Sequence, residues 1–226
     1  MLGALILASP CFALTPQERV DILWQRAQDQ LEVGKLDDAL ASANKAVRIA
    51  PNYYRACWLL GWVRAARGEH ADAEPAYRAA IKLNPDSREL HYHLGNALAA
   101  QGNLSDAITQ YLQAHAVEPL LTALGNDDAD ICASAGCCLS QICDARAVEP
   151  LITTLRDDPA VVAIVRYVAA SALAAIGTPA EPALPHLRGL AEHDPDEDVP
   201  DTVRQAIQRI EQALASEPSP PSAGQQ

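Results

Sequence analysis

Apolar and small residues in this chain fall three and four positions apart, on one side of a 3.6-residue helix, and such stripes come in pairs separated by short polar turns. The pairs repeat at a fixed period. Pro51, Pro85 and Pro119 are 34 residues apart, as are Gly34, Gly68 and Gly102, Ala39, Ala73 and Ala107, and Ala46, Ala80 and Ala114. Each Gly follows a helical run and permits the positive φ that ends the first helix of a pair and turns the chain. The spaced Ala residues let the two helices approach closely. Each Pro is expected to end the second helix, because the residue before it is pushed out of the helical region. The predicted unit is a helix–turn–helix hairpin. One hairpin cannot bury its own apolar faces, so neighbouring hairpins must stack.

After residue 115 the wording changes but the helical pattern persists. Ala116-Val117-Glu118-Pro119-Leu120-Leu121 recurs as Ala147-Val148-Glu149-Pro150-Leu151-Ile152, and each copy leads to an acidic loop, Asn126-Asp127-Asp128 and then Asp157-Asp158-Pro159. The helix after each loop carries one apolar stripe. Leu139, Leu173 and Ile207 align at a spacing of 34, as do Ile142, Ile176 and Ile210, and Ala135, Ala169 and Val203 complete it.

The first half resembles the tetratricopeptide repeat family. The unit at Arg88 to Glu118 carries Leu94-Gly95, Gly102, Ala107, Tyr111, Ala114 and Pro119. The unit at Tyr54 to Ser87 carries Leu60-Gly61, Gly68, Ala73, Tyr77, Ala80 and Pro85. The first unit, about Val20 to Tyr53, has Arg26-Ala27 where Leu-Gly is usual and reads as a cap. The second half is similar to the short HEAT-like repeat of phycobilisome lyase-type proteins, with a terminal copy from Ala183 to Ile210 reduced to Leu184-Pro185 and Leu187. These resemblances imply an all-α fold, an α-solenoid of stacked helix hairpins in a right-handed superhelix. The tetratricopeptide part is expected at 17–115 (units at 20–53, 54–87 and 88–115) and the HEAT-like part at 116–212. Pro119 fits both patterns, so the arrays are expected to share a seam in one continuous rod, bent near residues 114 to 120.

Charge separates the halves. Of the net −12, Thr15 to His115 contributes 11 Lys and Arg against 12 Asp and Glu, and the residues from Ala116 onward contribute 6 against 17. An acidic surface repels phosphate backbones, which argues against nucleic acid and anionic membranes as partners. It keeps the protein soluble or meets a basic partner. Residues 213–226 end in a Pro- and Ser-rich stretch without apolar periodicity and read as a disordered tail. Residues 1–13 read as a short secretory signal, apolar from Leu2 to Ala8, with a cleavage site after Ala13. The expected location is therefore exported, periplasmic or secreted. No later segment is apolar for 18 residues, so no integral membrane span is expected.

Few residues promise chemistry. Cys132, Cys137, Cys138 and Cys143 share one predicted helix, but spacings of five and one place them on different faces, which is poor geometry for a metal. Cys137, Cys138 and Cys143 align with Ser171, Ala172 and Gly177 of the next repeat, which favours packing as small apolar residues; a disulfide is the alternative in an oxidising compartment. His91 stands at the repeat position usually held by Trp and reads as structural. The run Asp194-Pro195-Asp196-Glu197-Asp198 lacks the Gly and final Glu of a calcium loop and reads as a helix entry. No phosphate loop, zinc-protease or nucleophile-elbow motif occurs. No catalytic, cofactor or metal residue is therefore assigned.

The resemblance places the first helix of each tetratricopeptide unit along the concave groove. There the fifth residues are Trp24, Trp58 and Tyr92, the ninth are Gln28, Trp62 and Asn96, and the second are Asp21, Arg55 and Glu89. Flat aromatics give contact area at small rotamer cost, and Asn or Arg can fix a peptide backbone. The partner-binding candidates are Trp24, Gln28, Arg55, Trp58, Trp62, Glu89, Tyr92 and Asn96. The basic residues that clamp a carboxylate in chaperone-binding members are replaced here by Trp24, Gln28, Glu89 and His93. The expected function is a non-enzymatic scaffold for a protein or peptide. The alternatives are a bilin lyase-like HEAT protein and an assembly subunit docking a basic partner through its acidic HEAT face.

Overall fold

The computed structural model describes residues 14–155, 163–193 and 199–216. The expected signal at 1–13 with Cys11, the Asp157-Asp158 loop, the Asp194–Asp198 run and the tail beyond Ser216 lie outside the described residues. All regular structure among the described residues is helical: α1 Pro16–Glu32, α2 Leu36–Ile49, α3 Tyr54–Ala66, α4 His70–Leu83, α5 Arg88–Ala100, α6 Leu104–Ala114, α7 Val117–Leu124, α8 Ala129–Ile142, α9 Val148–Leu155, α10 Ala163–Ile176, α11 Leu184–His193 and α12 Val199–Ser216. Short 3₁₀ turns at Ala145–Ala147 and Thr178–Ala183 lead into α9 and α11. The fold is an α-solenoid of stacked hairpins, and its chain falls into two compact units that divide after Leu90.

In the first unit α1 pairs with α2 and α3 with α4, and α3 packs on both α1 and α2. The core is thin and rich in Ala: Val20, Leu23, Ala27, Ala39, Ala43, Ala46, Ala56, Leu59 and Val63. Thr15 starts α1 through a capping box with Glu18, and Pro16 occupies the first turn, where a missing N–H costs nothing. Hydrogen bonds from Thr15 hold the Glu18 carboxyl below its ordinary range. These caps start the helix at Pro16.

The first helix of each of the first three pairs ends in the same way. Lys35 N–H donates to the Gln30 carbonyl at 2.7 Å, Glu69 to Arg64 at 2.9 Å and Asn103 to Leu98 at 3.0 Å. The glycine before each donor has φ of +74°, +78° and +81°, at Gly34, Gly68 and Gly102. This six-residue closure satisfies carbonyls that a helix end otherwise leaves open, and it needs a residue that tolerates the left-handed region. The periodic glycines therefore fix the three turns.

The expected role of the periodic prolines holds twice and fails once. α2 and α4 stop before Pro51 and Pro85, but α6 stops at Ala114 because His115 is left-handed, with φ +52°. Pro119 is the third residue of α7 and opens a helix instead of closing one. A proline in the first turn loses no intrahelical bond, so the HEAT-like reading of this position prevails.

In the second unit α6 packs on α7 and α8, and α8, α10 and α12 pack in succession with α7, α9 and α11 beside them. Leu139, Leu173, Ala135, Ala169, Val203, Ile176 and Ile210 are buried, which is the stripe read from the sequence; Ile142 and Ile207 are half-buried. Asp128 caps α8 by accepting from the Asp130 and Ile131 N–H groups at 2.9 and 3.4 Å. α12 continues through Ser216, so Ala213–Ser216 are helical and not part of a tail.

Candidate protein-interaction surface

Trp58 and Trp62 are one helical turn apart on α3 and share a face. Trp24 on α1 meets both. Its ring lies edge-on to Trp58 at 4.8 Å and stacks on Trp62 at 5.7 Å with 5° between planes. Tyr54, one turn before Trp58, continues the series at 6.5 Å and 19°. Each of these rings is half-buried, with its inner side against the core of the first unit. Across α1 and α3 the rings form one continuous aromatic surface. Each aromatic pair adds about 0.5–1.5 kcal/mol beyond its burial, so the surface is well fixed before any partner arrives.

Arg55 is part of that surface and is already engaged. Its guanidinium lies 5.3 Å from the centre of the Trp24 ring, and Nη1 is 3.2 Å from the Asp21 carboxylate. The other polar candidates are engaged as well. Gln28 donates to Glu32 at 3.5 Å. Glu89 accepts from the Ser87 hydroxyl at 3.0 Å.

The remaining candidates, Tyr92 and Asn96, lie on α5 in the second unit. Tyr92 is 41% exposed, with its ring 6.3 Å from Tyr111. Asn96 accepts a hydrogen bond from the Tyr111 hydroxyl at 3.0 Å. Burial and the neighbouring Tyr92 push the Tyr111 phenol upward, so it stays a donor. His91 is held by Gln110 at 2.8 Å, in keeping with a structural role.

One recess of the first unit was not foreseen. Tyr54 and Trp58 of α3, Asn84 at the end of α4, and Asp86, Ser87 and Glu89 at the entry to α5 line a cavity of about 350 Å³. None of these described lining residues is Lys or Arg. The 34-residue period points to equivalent helical positions, and here half of the lining comes from a turn, where the period carries no chemistry.

The cysteines divide. Cys132 and Cys138 are buried, and burial raises both thiols above their ordinary range. Cys137 and Cys143 are exposed, which corrects the expectation that all four pack as small apolar residues. Cys137 lies on the outer side of α8. Cys143 follows the helix in the left-handed region, φ +51°, and its thiol donates to the Ser140 carbonyl. It aligns with Gly177, φ +75°, so the shared feature is backbone conformation and not small size. Among the described residues, no three His, Cys, Asp or Glu side chains converge on a metal position. None of the described helices is long and apolar enough to cross a membrane.

The Tetratricopeptide repeat family model matches residues 25–81 and 59–120, and the HEAT repeats model matches residues 117–208. Among curated proteins, DnaJ homolog subfamily C member 7 homolog of Schizosaccharomyces pombe is 30% identical over 117 residues, covering 46% of this chain and 25% of its own. DnaJ protein P58IPK homolog B of Oryza sativa subsp. japonica is 28% identical over 108 residues, covering 47% and 23%. The chain thus spans about a quarter of the length of these relatives. Among solved structures, MamA aligns over 90% of this chain and 98% of its own with 20% identity and a TM-score of 0.43. YrrB, a TPR protein with an unusual peptide-binding site, aligns over 88% and 90% with 18% identity and a TM-score of 0.43.

Proposed function

Starting from a chain that belongs to the tetratricopeptide repeat family over residues 25–120 and to the HEAT repeats over 117–208, we propose a non-catalytic scaffold that binds a protein or peptide on the face of α1 and α3. The observation that carries this reading is the joined aromatic surface of Trp24, Trp58 and Trp62. Half-buried, mutually stacked tryptophans present a large apolar area that loses little side-chain freedom on binding, and binding energy concentrates on such anchors. Gln28 and Arg55 on the tryptophan face are its proposed polar flanks, and Tyr92 and Asn96 on α5 are proposed as partner contacts of the second unit in its own right.

The test is co-purification of the full chain from its native host, with wild type compared against Trp24→Ala and Trp62→Ala. The expected result is a protein partner retained by wild type through 0.5 M NaCl and lost from both variants, whose helical circular dichroism matches wild type. An acidic docking face would instead release its partner at that salt, since exposed charges are screened over about 3–10 Å. Retention of the partner by both folded variants removes this surface as the binding site.

A further inference from the structure

We propose that an apolar cavity between α6 and α7 accepts a leucine or isoleucine side chain presented by a basic helix of a protein partner. That the occupant belongs to a protein rests on the interaction reading above; the site itself rests on the shortness of α7.

The first unit shows what a complete cover looks like. There α3, with 13 residues, packs on α1 and α2, and Arg67 at its end reaches Asp37 in the first turn of α2. Leu31, Ala39, Leu40 and Ala43 of the α1–α2 hairpin share one core with Val63, which comes from the last turn of α3 and is fully buried. Two periods further on, the places of those four residues are held by Ala99, Ala107, Ile108 and Tyr111. The helix that follows them is α7, which has 8 residues and ends at Leu124. It is shorter than α3 by about 7.5 Å of helix. Ala99 is also smaller than Leu31, and the Tyr111 ring is turned onto Gly95. The surface that Val63 covers in the first unit is therefore left open in the second. A cavity of about 310 Å³ lies there, walled by Ala99, Leu104, Ile108 and Tyr111 of α5 and α6 and by Pro119 and Ala123 of α7.

The lining selects its occupant. The Tyr111 hydroxyl donates to Asn96 at 3.0 Å, the Thr122 hydroxyl donates to the Glu118 carbonyl at 3.1 Å, and the Asn126 side-chain oxygen accepts from the Asp128 N–H at 2.9 Å. These polar groups of the lining already have partners, so a charged occupant would lose its hydration without recovering it. An aliphatic side chain instead gains the apolar walls. The volume is ample, since an apolar cavity of about 150 Å³ already holds a benzene molecule. Charge decides what carries the side chain. Residues 91–145, which supply α6, α7 and α8, contain six Asp or Glu and no Lys or Arg. A free hydrocarbon gains nothing from that field, whereas lysines flanking a leucine on a helix are drawn to it.

The test uses the full chain and the peptide acetyl-Lys-Ala-Ala-Lys-Leu-Ala-Ala-Lys-Ala-amide. One control peptide has alanine in place of leucine, and another has glutamate in place of every lysine. Binding is read at the methyl groups of Ala99, Ala107, Ile108 and Ala123 in ¹H–¹³C spectra at low salt. The leucine peptide should give saturable shifts at these signals, and the alanine peptide should bind at least about tenfold more weakly. The glutamate peptide should not saturate them. Ala99→Leu restores the side chain that the first unit holds at Leu31, and Ala123→Leu fills the cavity from α7. Each should weaken binding of the leucine peptide by about tenfold or more without lowering the thermal midpoint. Equal binding of the alanine or glutamate peptide, shifts confined to other methyl groups, no saturation, or full affinity in either folded variant would each overturn the proposal. Saturation by cyclohexane while the peptide leaves these methyl groups unmoved would assign the cavity to a free hydrocarbon and overturn it as well. The two readings fail separately. If Trp24→Ala and Trp62→Ala lose the native partner while the leucine peptide does not seat, the cavity proposal falls and the tryptophan surface stands. If the peptide seats but the tryptophan variants keep the partner, the cavity stands and the surface falls.

Discussion

A single hydrogen decides how closely two helices of a hairpin approach. A Cβ at Gly61 would lie 2.8 Å from Cδ1 and Cε1 of Tyr77, and one at Gly95 would lie 2.6 Å from Cε1 of Tyr111. In both hairpins a tyrosine ring lies flat on the bare backbone of the first helix. The first hairpin has Ala27 and Ala43 at these places, both fully buried. It adds a methyl on one side and removes a ring on the other, so the departure at Ala27 is compensated across the interface. Gly61→Ala is therefore expected to destabilise by about 1–3 kcal/mol through overpacking, even though alanine is the better helix former by ~1 kcal/mol. Combined with Tyr77→Ala, its cost should fall well below the sum of the two single changes. Urea unfolding of the four proteins checks this; a midpoint for Gly61→Ala equal to wild type would mean that the ring moves aside without cost. The period reveals both the glycines and the tyrosines, but their partnership is visible only once the helices are packed.

At the scale of the element, local chemistry sets the helix ends, and the exceptions are informative. Three glycines close α1, α3 and α5 with the same pair of backbone bonds. Cys143 also ends its helix, α8, in the left-handed region, with a side chain that this region penalises, although its N–H reaches the Leu139 carbonyl instead. Replacing it by glycine should stabilise the protein by about 1 kcal/mol, since left-handed backbone costs a residue with Cβ that much. Thermal unfolding should show a rise of a few degrees, and a fall would mean that the thiol contact with Ser140 outweighs the backbone strain. Pro119 shows the opposite limit. Its place in the 34-residue register predicts a stop, yet a proline suits the last residue before a turn and the first turn of a helix equally well. The left-handed His115 had already ended α6, so only the second role remained.

At the scale of the whole molecule, stability comes, within each compact unit, from each hairpin covering the next. α12 packs on both α10 and α11, and buries Val203, Ala206 and Ile210. A chain ending at His193 would uncover the apolar faces of α10 and α11, with no later repeat to replace the cover. Such a truncation is expected to unfold at a markedly lower temperature and to bind a hydrophobic dye that the full chain ignores; an unchanged melting temperature would show that α12 is dispensable. The sequence by itself determined the helices, their pairing into hairpins, the glycine turns and the two kinds of repeat, because each depends on spacing along the chain. It also named Trp24, Trp58 and Trp62. The tertiary structure alone decided that these rings stack on one another, that Arg55 is held between Trp24 and Asp21, and that two of four clustered cysteines face outward. It also placed the turn residue Asp86 beside Trp58. These outcomes depend on distances between helices and on the conformations of turns, which periodicity along one helix does not encode.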